Sequence, residues 1–135
     1  MQSSLSWPLI VAAGVAVVFG ILTIISGGSV LFGGEAARAA AGDVVPFVLW
    51  FNFLSGPLYV LAGVGIALGR RWAAALSIAL AAAIAVVFAL FGLRVYHGAA
   101  FEMRTVGAMS LRLLVWLAIA AVAIQSTRSD RAREG

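Results

Sequence analysis

Arg112 stands within Thr105–Ile124 (TVGAMSLRLLVWLAIAAVAI), an otherwise apolar run long enough to cross a bilayer. An arginine at the centre of a membrane helix costs roughly 2.5–3.5 kcal/mol on insertion scales, so it asks for a partner or a task. A fixed cation with several N–H donors suits an anion, a carboxylate or a quinone-type carbonyl. Asn52 is the polar side chain at comparable depth. Counted from the residues that open their spans, Asn52 lies about 12 Å along one helix and Arg112 about 10 Å along another. A hydrogen bond from the Arg112 guanidinium to the Asn52 carbonyl is therefore geometrically possible. It would leave the charge unneutralised. Glu102 is about 15 Å away along the helix of Arg112, so Glu35 or Asp43 is the expected counter-ion. Glu35 also stands three residues before Arg38, the spacing of a pair on one short helix.

The segment 94–104 adds Arg94, Tyr96, His97, Glu102 and Arg104. His97, the single histidine, reads as a solvated or headgroup-contacting residue, with a proton relay or ligand contact as the rival reading. A metal or haem site has no support, because the chain offers neither a second histidine nor a cysteine. Arg112, Asn52, Glu35, Asp43, Arg94, His97 and Glu102 thus form a candidate ligand- or partner-binding set at one end of the molecule. Mutual structural pairing of the same charges would account for them equally. No GxSxG, HExxH, Walker loop or paired carboxylate on one helix is present, so the sequence points away from an enzyme and names no cofactor.

These residues need elements to hold them. The chain has 135 residues, of which 64% are hydrophobic and 10% charged, well below the charge of a soluble domain. Four runs are long enough for membrane helices: about 5–26, 44–68, 72–93 and 105–124, followed by a polar tail over 125–135. The expected fold is all-α, a single integral-membrane four-helix bundle with antiparallel helices and both termini on one side. Ser6 is the expected cap of the first span and Asp43 of the second, with Pro8 and Pro46 in first turns. The first run is too long, and its leading residues too uncharged, for a cleaved signal peptide. Gly69-Arg70-Arg71 makes a tight hairpin between the second and third spans. Absence of cysteine excludes disulfide, thiolate-metal and CxxC redox chemistry. The nine basic residues are all arginine, as in a GC-rich bacterial genome. They are dispersed, so nucleic acid is not a partner.

Arg70, Arg71, Arg128, Arg131 and Arg133 fall on one side, and Arg38, Arg94 and Arg104 on the other. The positive-inside bias then puts both termini in the cytoplasm and the candidate mouth outside, in a bacterial inner membrane. Trp7 and Trp72 suit one interfacial belt, Trp50 and Tyr96 the other. Small residues recur every four positions: Ala12, Ala16 and Gly20 in the first span, Gly63 with Ala67 and Gly65 with Gly69 around the second, and Gly69, Ala73, Ser77, Ala81, Ala85 and Ala89 along the third. Such stripes let helix backbones approach closely, within a bundle or across a homo-oligomer face. Pro57 is expected to break the second span near its middle, with Asn52 and Ser55 lining the kink.

Tyr59–Ala75 (YVLAGVGIALGRRWAAA) and Phe19–Phe32 (FGILTIISGGSVLF) resemble the second-to-third-span hairpin and the end of the first span of DoxX-like membrane proteins. The resemblance covers less than a quarter of the chain. It implies a small four-helix bacterial membrane protein, accessory to a redox or respiratory membrane complex. The acidic residue usual in that family's second span is replaced here by Tyr59 and Val60, so no functional residue is carried over. A homo-oligomeric solute or ion transporter and a structural subunit of a larger complex are the alternatives. Transport requires polar residues that continue across the membrane, whereas here they stop about halfway.

Overall fold

The computed structural model describes residues 7–43 and 45–134, the last eight by backbone alone. Five helices follow in order: α1 Trp7–Phe32, α2 Glu35–Ala41, α3 Pro46–Ala67, α4 Trp72–Tyr96 and α5 Met103–Glu134. Four of them, with α5 counted to Ser126, are long and apolar enough to cross a membrane. Only 28–33% of each apolar window is buried within the bundle. The remainder carries exposed side chains such as Val18, Ile25, Leu54, Leu61, Val86 and Leu114, an apolar surface suited to lipid.

The helix limits follow local chemistry. α1 continues past the expected Ser26 because Gly27 is buried against Phe53 of α3. It stops before Gly34, at φ 90°, a left-handed conformation suited to glycine. α2 is a run of strong helix formers, Glu35-Ala-Ala-Arg-Ala-Ala-Ala, with the acid in its first turn and the base in its last. Asp43 is not the cap of α3. Val45 occupies that position without a side-chain hydrogen bond, and Pro46 supplies the preset φ of a first turn. The expected starts at Leu5, Ser6 and Val44 lie outside the described residues. The hairpin at Gly69 is a Schellman turn: Arg70 N–H donates to the Gly65 carbonyl at 2.9 Å and Gly69 N–H to the Ile66 carbonyl at 3.1 Å. α4 runs three residues beyond the expected Leu93 and closes the same way at Gly98. The expected polar tail continues α5 as helix to Glu134.

Pro57 does not break α3; every residue from 46 to 67 is helical. Packing on both sides of the proline holds the helix through it, with Gly56 against Gly20 of α1 and Tyr59 against Phe19 and Trp116. Ser55 Oγ donates to the Phe51 carbonyl at 2.6 Å, not to the Phe53 carbonyl that the proline deprives of a donor.

Around the bundle the order is α1, α3, α4, α5, with α1 and α3 in the most extensive contact and α5 meeting α1 most sparsely. The α1–α3 seam depends on glycine. A Cβ on Gly20 would lie 2.7 Å from the Gly56 carbonyl oxygen, and one on Gly63 would lie 2.9 Å from that of Ala13. As numbers rise along α1 (13, 20, 27), those of the facing α3 residues fall (63, 56, 53). Of the α4 stripe, Ala73, Ser77 and Ala81 are buried, whereas Ala85 and Ala89 face outward. Trp116, Tyr59, Phe91, Ile84 and Met109 are the large side chains fully enclosed.

Gly20→Leu is expected to destabilise the protein by about 1–3 kcal/mol, because its added atoms meet α3 backbone. Gly14→Ala, where a Cβ would have nothing within 4 Å, should leave stability unchanged or raise it by up to about 1 kcal/mol through helix propensity. Thermal unfolding in detergent, followed by circular dichroism, distinguishes the two.

Candidate functional site

Arg112 is nine residues past Met103, and Thr23 is nine residues before Phe32, so each lies about 13–14 Å from its helix end. At that shared depth Arg112 Nη1 donates to Thr23 Oγ1 at 2.8 Å. Thr23 is 3% exposed and sits on the seam of α1 with Ala16, Gly20 and Gly27. The guanidinium carbon also lies 5.3 Å from the centroid of the Phe19 ring, a cation–π contact with a face that needs no desolvation of a counter-ion. Phe19 meets Tyr59 edge-on at 6.1 Å, and Tyr59 packs on Trp116 at 4.8 Å. The Tyr59 hydroxyl lies close to Arg112 and Ser55 without completing a hydrogen bond. Arg112 Nε, Tyr59 Oη and Trp116 Nε1 are buried without a hydrogen-bond partner among the described residues. The cluster therefore holds more donors than acceptors and a positive charge with no carboxylate beside it among the described residues.

Next to this cluster, α1 and α5 flank an outward-opening groove of about 570 Å³. On α1 it extends from Gly14 to Ser26, and on α5 it is bordered by Leu111 and Arg112. Val15, Val18 and Leu22 make its walls apolar, while Thr23, Ser26 and Arg112 place the polar atoms at one end.

The other expected site residues lie elsewhere. Asn52 does not bond Arg112; its Oδ1 is buried without a partner among the described residues. Neither Glu35 nor Asp43 pairs with Arg112. Glu35 is exposed, and Arg38 donates to the Leu31 carbonyl at 3.2 Å instead of pairing with Glu35. At the α2 end of the bundle, Glu102 Oε2 accepts from the Asp43 backbone N–H at 3.0 Å, and Glu102 Oε1 lies 3.6 Å from Arg104 Nη2. Arg104 in turn donates to the Ala40 and Ala41 carbonyls at 3.2 and 3.3 Å, where a cation favours the C-terminus of α2. Gly42 is confined by this arrangement, at φ 77° with a would-be Cβ 2.7 Å from the Glu102 carboxylate. Arg94 lies over the Phe47 ring at 5.3 Å, and His97, exposed, follows the last residue of α4 beside Tyr96. The charges expected to converge on one mouth thus divide into a clasp that ties α2 to the start of α5 and a separate cation deeper in the bundle.

Thr23, Phe19, Tyr59 and Trp116 belong to the site yet are absent from the sequence-derived set. Thr23 carried a signal: it continues the buried small-residue seam Ala16, Gly20, Thr23, Gly27 at the depth of Arg112. Comparison with family models, curated proteins and solved structures finds no match.

Thr23→Val removes the acceptor while keeping the shape, leaving a guanidinium N–H unpaired. It is expected to cost about 1.5–3 kcal/mol in detergent unfolding. Thr23→Ser should stay near the parent protein; an equal loss in both variants would assign the effect to packing.

Proposed function

We propose that this is a small multi-pass protein of the bacterial inner membrane that binds a lipophilic molecule in the groove between α1 and α5. The ligand presents an oxygen to Arg112. One observation carries the reading: a guanidinium that hydrogen-bonds the neutral Thr23 hydroxyl and has no carboxylate beside it among the described residues borders an apolar groove. Desolvating a cation there is unfavourable unless an acceptor compensates it. The protein acts as a DoxX-like accessory to a redox or respiratory membrane complex, not as an enzyme. The helices run antiparallel, with both termini and the Arg70-Arg71 turn in the cytoplasm. The Glu102–Arg104 clasp then faces the periplasm and fastens the connections between spans.

Extraction of the purified protein should recover a lipophilic species that Arg112→Leu loses while remaining folded. Equal recovery from both proteins would sink the reading. Orientation is checked independently in this cysteine-free chain. In intact cells, His97→Cys should react with a membrane-impermeant maleimide and Arg70→Cys should not. The reverse labelling would invert the topology.

A further inference from the structure

We infer that the ligand of the groove is a single-chain anionic amphiphile, a fatty carboxylate whose head meets Arg112 and whose chain runs along α1 toward Gly14. The inference rests on the binding function proposed above and narrows it to a ligand class. Its first support is charge. The acids of the chain are Glu35, Asp43, Glu102, Asp130 and Glu134, all in connections or the terminal segment. None stands at the depth of Arg112, so a second copy of this chain has no carboxylate to bring there. The compensating anion must come from another molecule.

The second support is the distribution of polarity. Thr23 Oγ1 accepts from Arg112 and retains its own proton to donate. With the Ser26 hydroxyl one turn away in the same groove, this gives a head site of charged and neutral donors, the set that a carboxylate satisfies through its several lone pairs. From Thr23 to Gly14 is nine residues, about 13–14 Å, along walls of Val15, Val18 and Leu22. A Cβ on Gly14 would have nothing within 4 Å, so the far end of the groove is open. A small water-soluble anion would leave this length unfilled and would have to reach Arg112 through hydrocarbon. An acyl chain fills it and arrives from the lipid.

The test uses delipidated full-length protein in a non-ionic detergent, with retained adducts read by native mass spectrometry. The probes are palmitate, hexadecanol, octanoate and a prenylated benzoquinone. Palmitate is expected to be retained and hexadecanol to bind about ten-fold more weakly or less, the scale of a lost charge-assisted hydrogen bond. Arg112→Gln should reduce palmitate to the level of hexadecanol. Gly14→Leu, whose Cβ has nothing within 4 Å, should place its side chain in the far end, weakening palmitate but sparing octanoate, whose chain stops short. This arm keeps the test valid if Arg112→Gln fails to fold. Equal binding of palmitate and hexadecanol, or palmitate binding unmoved by Gly14→Leu, overturns the inference. Retention of the quinone without palmitate overturns the carboxylate while leaving the groove a binding site. Failure to retain any of the four overturns both.

Discussion

The approach of α1 to α3 through Gly20 and Gly56 sets the geometry on which the rest of the bundle depends. In lipid, apolar side chains gain nothing by leaving their surroundings, so contact between backbones replaces the hydrophobic effect as the source of cohesion. Gly20 and Gly56 each leave room for the other's carbonyl. Thr23 follows Gly20 by three residues and Tyr59 follows Gly56 by three, so both project from the tightest part of the seam. That position buries both side chains. Arg112 is thereby offered a hydroxyl on α1 and an aromatic wall formed by Phe19 and Tyr59. The same glycines that bring the helices together determine what the arginine meets.

The apolar spans, the Gly69 hairpin, the small-residue stripe of α1 and the Ala73–Ser77–Ala81 part of that of α4 were legible because each follows from composition or from spacing along one helix. Arg112 shares a stripe with Met109, Trp116 and Ala123, all buried in the structure. Its partner was not legible. Depth counting puts Asn52 and Thr23 at similar levels and leaves the rotation of each helix about its axis undetermined. A turn of about 100° per residue means that two side chains at equal depth can face opposite ways. Asn52 illustrates the result, with a buried carbonyl oxygen that meets no donor among the described residues. Asp43 shows a different gap. Its type and place suited a helix cap, but a tertiary contact to Glu102 took its backbone N–H and the helix began later.

The distribution of charge separates the clasp at the α2 end from the cation inside the bundle. At the clasp, one carboxylate receives a backbone N–H and approaches Arg104, which also reaches two helix-terminal carbonyls. Arg104 is well exposed, so the ion pair itself contributes little, and the hydrogen bonds that fix α2 carry more of the structural effect. Arg112 has the opposite circumstances. Its surroundings are apolar or aromatic, its polar partner is neutral, and solvent screening is weak. A charge in such a place interacts strongly with whatever anion reaches it.

Access follows from the same division. The connections at the α2 end of the bundle are tied to one another by Glu102 and Arg104, whereas α1 and α5, the loosest neighbours in the bundle, leave a groove between them. The polar residues of the interior do not extend this groove toward the other end of α4, where Ser77 spends its hydroxyl on the Ala73 carbonyl. A path through the bundle would need such groups to remain free and to line up. What the fold offers instead is a flank: a cation set about halfway along the helices, beside an apolar groove open to the outside of the bundle. Such a flank is suited to molecules that lie alongside the helices rather than to a path between them, and the uncompensated charge of Arg112 is complementary to an anion.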